Sequence, residues 1–154
     1  MPERRGCPPL LIGAGGSRML GVAARHADIV GLLPAPIKGS EDRDDPADRL
    51  PPAFDKKLAV LRTTAGDRFG DLELSAMASF TITGQRRSGT EDLIARRGWS
   101  GIDAGAVWEM PTIFIGSVSQ IRDDLLARRE RFGLSYLITP DSELPTLAAV
   151  IDGL

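Results

Sequence analysis

A chain of 154 residues, 42% hydrophobic and 26% charged, has the size and balance of one soluble globular domain. Nineteen Lys and Arg against twenty-one Asp and Glu leave a net charge of −2, which removes the basic field that would gather nucleic acid or an anionic membrane. The lone cysteine, Cys7, and lone histidine, His26, exclude an internal disulfide and a multi-Cys or multi-His metal centre. With no run of about 18 apolar residues and no secretory leader, a cytoplasmic, metal-free protein is expected.

Along the chain, short apolar runs alternate with helical periodicity, the pattern of βα units on a parallel sheet. A flexible lead-in over 1–8 precedes a strand at 9–12. The stretch Gly13-Ala14-Gly15-Gly16-Ser17 then turns the chain into a helix over 17–27, with Leu20, Ala23, Ala24 and Ala27 on one face and Arg18 and Arg25 in water. A second strand, 28–33, stops before Pro34 and Pro36, which a central strand does not accept. The charged, proline-broken span 34–52 is expected to be a mobile loop, and a helix with Phe54, Leu58 and Leu61 on one face starts near Ala53.

The third strand, 72–82, is long and rich in small residues, which suits a barrel wall facing a ligand; Met77, Ser79 and Thr81 share one of its faces, and Ser79 and Thr81 are candidates to reach it. A short helix over 90–97 and an irregular Gly/Trp stretch lead to Met110-Pro111-Thr112-Ile113-Phe114-Ile115-Gly116. Ser117-Val118-Ser119-Gln120 has capping-box spacing, and Gly133 suits a helix end. A fourth strand covers 134–139, and a last helix from about Glu143 is expected to bury Leu144, Leu147, Val150 and Ile151. The fold class is therefore α/β, a single domain over 1–154 with about four βα units. These units make half of a (β/α)8 barrel, which would pair with another copy or a complementary half, or else a small open doubly wound sheet.

One motif carries chemistry. Gly13, Ala14, Gly15, Gly16 and Ser17 lie between a strand and a helix, where backbone amides and the helix dipole converge on an anion, phosphate above all. The glycines allow positive φ and leave no Cβ in the way, Ser17 caps the helix or meets a phosphate oxygen, and Arg18 adds charge. The spacing lacks the residues of a dinucleotide fingerprint or a nucleotide P-loop, and a plain tight turn explains the glycines equally well.

The segment from Pro8 to Leu20 followed by Ala23-Ala24-Arg25-His26-Ala27-Asp28-Ile29-Val30-Gly31 resembles the luciferase-like monooxygenases, particularly the branch that uses coenzyme F-420. So do Ala65-Gly66-Asp67-Arg68-Phe69, Phe114-Ile115-Gly116-Ser117 and Arg131-Phe132-Gly133-Leu134-Ser135-Tyr136. The resemblance spans nearly the whole chain but only the last four βα units of the family's domain. It implies a TIM-type barrel and hydride transfer between coenzyme F-420, or alternatively FMN, and a small organic substrate. It also implies cofactor contacts from Gly13, Ala14, Gly15, Gly16, Ser17 and Arg18, and an active site left incomplete here because proton-transfer groups come mainly from the other half. The alternatives are a non-catalytic half-barrel for phosphate binding or oligomerisation, and a phosphate-binding barrel with other chemistry such as an isomerase.

No catalytic acid, base or nucleophile is assigned from the sequence. His26 reads as a surface residue at a helix end, Asp28 as a strand-entry residue, Trp99 and Trp108 as hydrophobic plugs, and Arg128-Arg129-Glu130-Arg131 as a solvated helix face.

Overall fold

The computed structural model describes residues 8–34 and 45–152. Cys7, nearly all of the expected lead-in and the 35–44 part of the expected loop lie outside them. Among the described residues six strands, all paired in parallel, form two ladders: β1 (Leu11–Ala14), β2 (Ile29–Leu32), β3 (Glu73–Met77) and β6 (Leu134–Ile138) in that spatial order, and β4 (Ser79–Ile82) with β5 (Ile113–Gly116). The main helices are α1 (Ser17–His26), α2 (Pro51–Ala65), α3 (Arg86–Arg97), α4 (Ala104–Trp108), α5 (Val118–Phe132) and α6 (Leu144–Ile151). The β1-β2-β3-β6 order winds in one direction, with no reversal among the described strands of this sheet.

Strand alternation sets the layers. Ala14, Val30, Leu32, Leu74, Ala76 and Leu134 face the helices and pack with Leu20, Ala23 and Ala24 of α1, Phe54, Leu58 and Leu61 of α2, and Phe132 of α5. Phe54 and Phe132 meet edge to face with centroids 5.9 Å apart. Each of the buried Val, Leu and Phe side chains contributes on the order of 1.5–3 kcal/mol, so this seam fixes α1 and α2 on one face. The opposite face carries Leu11, Gly13, Gly31, Ser75, Met77, Tyr136 and Ile138, of which Leu11, Met77, Tyr136 and Ile138 are exposed.

Several expected boundaries shift. The first strand runs to Ala14, so Gly13 and Ala14 belong to the sheet rather than to the turn. The expected loop narrows from its far end: Pro46–Arg49 forms a 3-10 turn, and Pro51 and Pro52 start α2, where a missing N–H costs nothing. The single strand expected over 72–82 breaks at Ala78, because its N–H donates to Ile138 in β6 while the next, from Ser79, donates to Thr112 before β5. One chain segment thus serves two ladders. The helix expected from 90 starts a turn earlier, and α6 buries Val150 but leaves Leu144 and Ile151 exposed, contrary to the sequence pattern.

At α5 the expectation holds in detail. Ser117 Oγ accepts from the Gln120 N–H at 3.3 Å, Gln120 Oε1 accepts from the Ser117 N–H at 2.9 Å, and Gly133 closes the helix at φ 72°. Among the described residues no helix is long and apolar enough to cross a membrane.

Candidate functional site

The turn between β1 and α1 is shorter than the motif suggested, and its glycines work differently. Gly16 is the N-cap, with φ −93° and ψ 152°, and the positive-φ glycines of the described chain are elsewhere: Gly66, Gly98, Gly101, Gly116 and Gly133. The expected left-handed turn is therefore replaced by extended backbone. Gly13 is needed for closeness instead: a Cβ there would stand 3.1 Å from Leu33 Cδ1, and one on Gly31 would stand 3.3 Å from the Gly13 Cα. Ser17 is the first helical residue, not the cap, so its hydroxyl does not have the expected capping role. Arg18 is exposed, and Ala14 is buried beneath α1.

With Gly16 as N-cap, no side chain caps α1 and its first turn holds no acidic residue, while Arg25 and His26 sit in its last turn. The first-turn amides form the positive end of the helix dipole. They border a cleft of about 460 Å³ between Gly15, Gly16, Ser17 and Leu20 on one side, and the 3-10 turn and α2 on the other. Lys56 and Lys57 reach it, as do Asp45 and Asp48. Lys57 is buried and spends its charge on Asp48 at 2.7 Å, and Asp45 Oδ1 accepts from the Ala47 N–H at 2.9 Å. Exposed Lys56 and the helix amides therefore face the cleft as its donors to an anion. A Cβ on Gly16 would meet nothing within 4 Å, so the approach to these amides is open.

A second, smaller cavity of about 150 Å³ lies at the carboxyl ends of the strands, the same edge of the sheet from which the β1–α1 turn emerges. Leu33 and Pro34 after β2, Met77 and Ser79 around the strand break, and Pro140 after β6 line it, with Arg49, Arg97 and Glu143. Glu143 is held rigidly: one carboxylate oxygen accepts from Ser79 Oγ at 3.1 Å, the other from the Phe80 N–H at 2.7 Å and Thr139 Oγ1 at 3.1 Å. Ser79, a sequence candidate, thus belongs to the cavity; Thr81 is not among the lining residues. In the sequence Glu143 marks only a helix start, since nothing local to it announces contacts more than sixty residues away.

Ser75 is the other residue that sequence reasoning passed over. It is 0% exposed, shares a register row with Gly31 and Tyr136 on the face away from the helices, and its Oγ has no hydrogen-bond partner. A buried hydroxyl left unpaired costs about 1–3 kcal/mol, which a partner on that face would recover.

The remaining tempting residues are structural. His26 is exposed at the end of α1. Asp28 accepts from the Leu10 N–H at 2.8 Å and lies 4.0 Å from Arg68, which donates to the carbonyls of Ala24 and Ala27; this staple sits at the amino-terminal edge of the sheet, away from the cleft. Trp99 is buried in a cluster with Leu93 and Met110, and Trp108 Nε1 donates to Thr90 Oγ1 at 2.8 Å. Arg128 departs from the expected solvated face: it is buried and donates to the carbonyls of Trp108 and Met110. Arg129 and Arg131 are exposed. Among the described residues no group of three or more His, Cys, Asp or Glu could hold a metal ion.

No protein-family model matches the sequence, and no curated protein matches it in sequence. Solved structures are similar in fold. A coenzyme F-420-dependent tetrahydromethanopterin reductase from Methanopyrus kandleri matches with a TM-score of 0.52 at 17% identity, over 94% of this chain and 49% of its own. An F-420-dependent secondary alcohol dehydrogenase, in complex with an F-420–acetone adduct, matches with a TM-score of 0.54 at 10% identity, over 95% and 50%. The long-chain alkane monooxygenase LadA matches with a TM-score of 0.52 at 12% identity, over 94% and 38%. At these identities the likeness concerns the fold: a parallel α/β arrangement that spans half or less of each neighbour's length.

Proposed function

We propose that this chain is part of an oxidoreductase of the luciferase-like kind, binding a phosphate-bearing redox coenzyme and acting on a small organic substrate. The carrying observation is the uncapped first turn of α1, open to a cleft at the carboxyl edge of a parallel sheet, where such folds bind ligands. The amides that follow Gly15 and Gly16, with Ser17 Oγ and Lys56, would hold the phosphate; Arg18 would add long-range charge from outside the cleft. Two of the fold neighbours are F-420-dependent, which favours coenzyme F-420 over FMN. The coenzyme supplies the hydride chemistry, and the residues of this chain bind and orient it.

The test is a titration of the purified chain with F-420 and with FMN, followed by coenzyme fluorescence, alongside Gly16→Asp. The Gly16 backbone accepts an aspartate without a clash, and its carboxylate would take the amides that the phosphate needs while repelling the phosphate. Saturable binding by the native chain, weakened at least about tenfold in the variant, is expected, a loss of about 1.4 kcal/mol. Failure of the native chain to bind either coenzyme, or equal binding by the variant, overturns the assignment. The uncovered inner face favours a second reading, a non-catalytic half-barrel module; saturable binding of inorganic phosphate with no affinity for either coenzyme would select it.

A further inference from the structure

We infer that two copies of this chain close on each other through the edges of the four-stranded sheet, β1 of each against β6 of the other, into an eight-stranded parallel barrel. The inference does not depend on the coenzyme. Among the described residues β1 and β6 are the two edges of the sheet. The Leu10 and Ala14 carbonyls accept from β2 and its flanks, and the Ile138 carbonyl accepts from Ala78. Because the N–H and C=O of a strand residue point to the same side, the peptide groups of Leu11 and Gly13 on one edge, and of Ser135 and Leu137 on the other, point outward.

A twofold axis along the strand direction satisfies both edges at once. It keeps all eight strands parallel, gathers their carboxyl ends at one mouth, and produces the strand number at which side chains fill a barrel interior. Any partner must offer both a β1-type and a β6-type parallel edge at the right separation, and this chain offers both. Neither edge carries a charge or a proline, the usual protections of an edge that stays exposed.

Side-chain exposure points the same way. Leu11, Tyr136 and Ile138 are exposed at the two edges, on the face away from α1 and α2, and Leu144 and Ile151 are exposed on α6. The Ser75 hydroxyl on the same face has no hydrogen-bond partner within the chain. The cavity at the carboxyl ends of β2, β3 and β6 would then open into an enclosed interior to which the second copy contributes a wall.

Sedimentation equilibrium of the full chain tests this, with two variants that each block one edge. Ser135→Pro removes an outward N–H at an exposed position where the β3–β6 register already shifts, and Leu11→Lys places a charge at the other seam. The native chain is expected at twice its monomer mass, and each variant to raise the dimer dissociation constant about a hundredfold with unchanged far-UV circular dichroism. A native chain that is monomeric throughout, an open-ended series of oligomers, or a dimer indifferent to both variants would each overturn the closed pair. A monomer that still binds coenzyme would remove this inference and leave the functional proposal standing.

Discussion

Arg128 does more for this fold than its place in an arginine-rich run suggests. At 8% exposure its guanidinium holds the carbonyls of Trp108 and Met110 between α4 and β5, with Asp124 3.9 Å away. Burial pushes its pKa down, and the carboxylates of Asp124 and Glu109 oppose that shift. Arg128→Met is expected to destabilise the chain by about 2–3 kcal/mol, measured as a lower urea midpoint, because two buried carbonyls lose a charged donor. Its neighbours Arg129 and Arg131 should tolerate the same change within about 0.5 kcal/mol. A linear reading cannot separate these arginines, since only the packing of α5 against the α4–β5 connection decides which one is enclosed. Gly16 was legible as part of a site but not as an extended N-cap: glycine permits many conformations, and the sequence does not say which is used. Gly16→Asp should therefore raise thermal stability by a few tenths of a kcal/mol while weakening phosphate binding, a pairing of effects that simple misfolding would not produce.

At the scale of elements, local signals were read correctly where local chemistry decides the outcome. The capping box and Gly133 bound α5 because both act within a turn of the helix; Ser117→Ala should cost about 1 kcal/mol in chemical denaturation, and Gly133→Ala, at φ 72°, a similar amount. The break in the third strand was invisible for the opposite reason. Residues 73–82 alternate without a glycine or proline, and the change of ladder at Ala78 is imposed from outside, by Ile138, Thr112 and the Glu143 carboxylate on the Phe80 N–H. Glu143→Gln exchanges one acceptor for a donor among three donors and should cost about 1–2 kcal/mol, seen as faster amide exchange in β4. The exposed Leu144 and Ile151 mark another limit: helical periodicity shows which residues share a face, not whether anything covers it.

For the whole molecule, βα alternation gave the class, but the spatial order of strands depends on pairings between segments far apart in sequence. The one-way order β1-β2-β3-β6 packs α1, α2 and the end of α5 on one face and leaves Leu11, Met77, Tyr136 and Ile138 exposed on the other. It places the uncapped start of α1 and the Glu143 cavity on the carboxyl edge together, while Asp28 and His26 fall away from it. The amide proton–nitrogen correlation spectrum of the chain, recorded while coenzyme F-420 is added, tests this placement most directly. Saturable shifts concentrated at Gly15, Gly16, Ser17 and Arg18 are expected, with a weaker echo at Lys56. Binding that leaves those amides unmoved, or that moves only residues at the amino-terminal edge around Asp28, would contradict it.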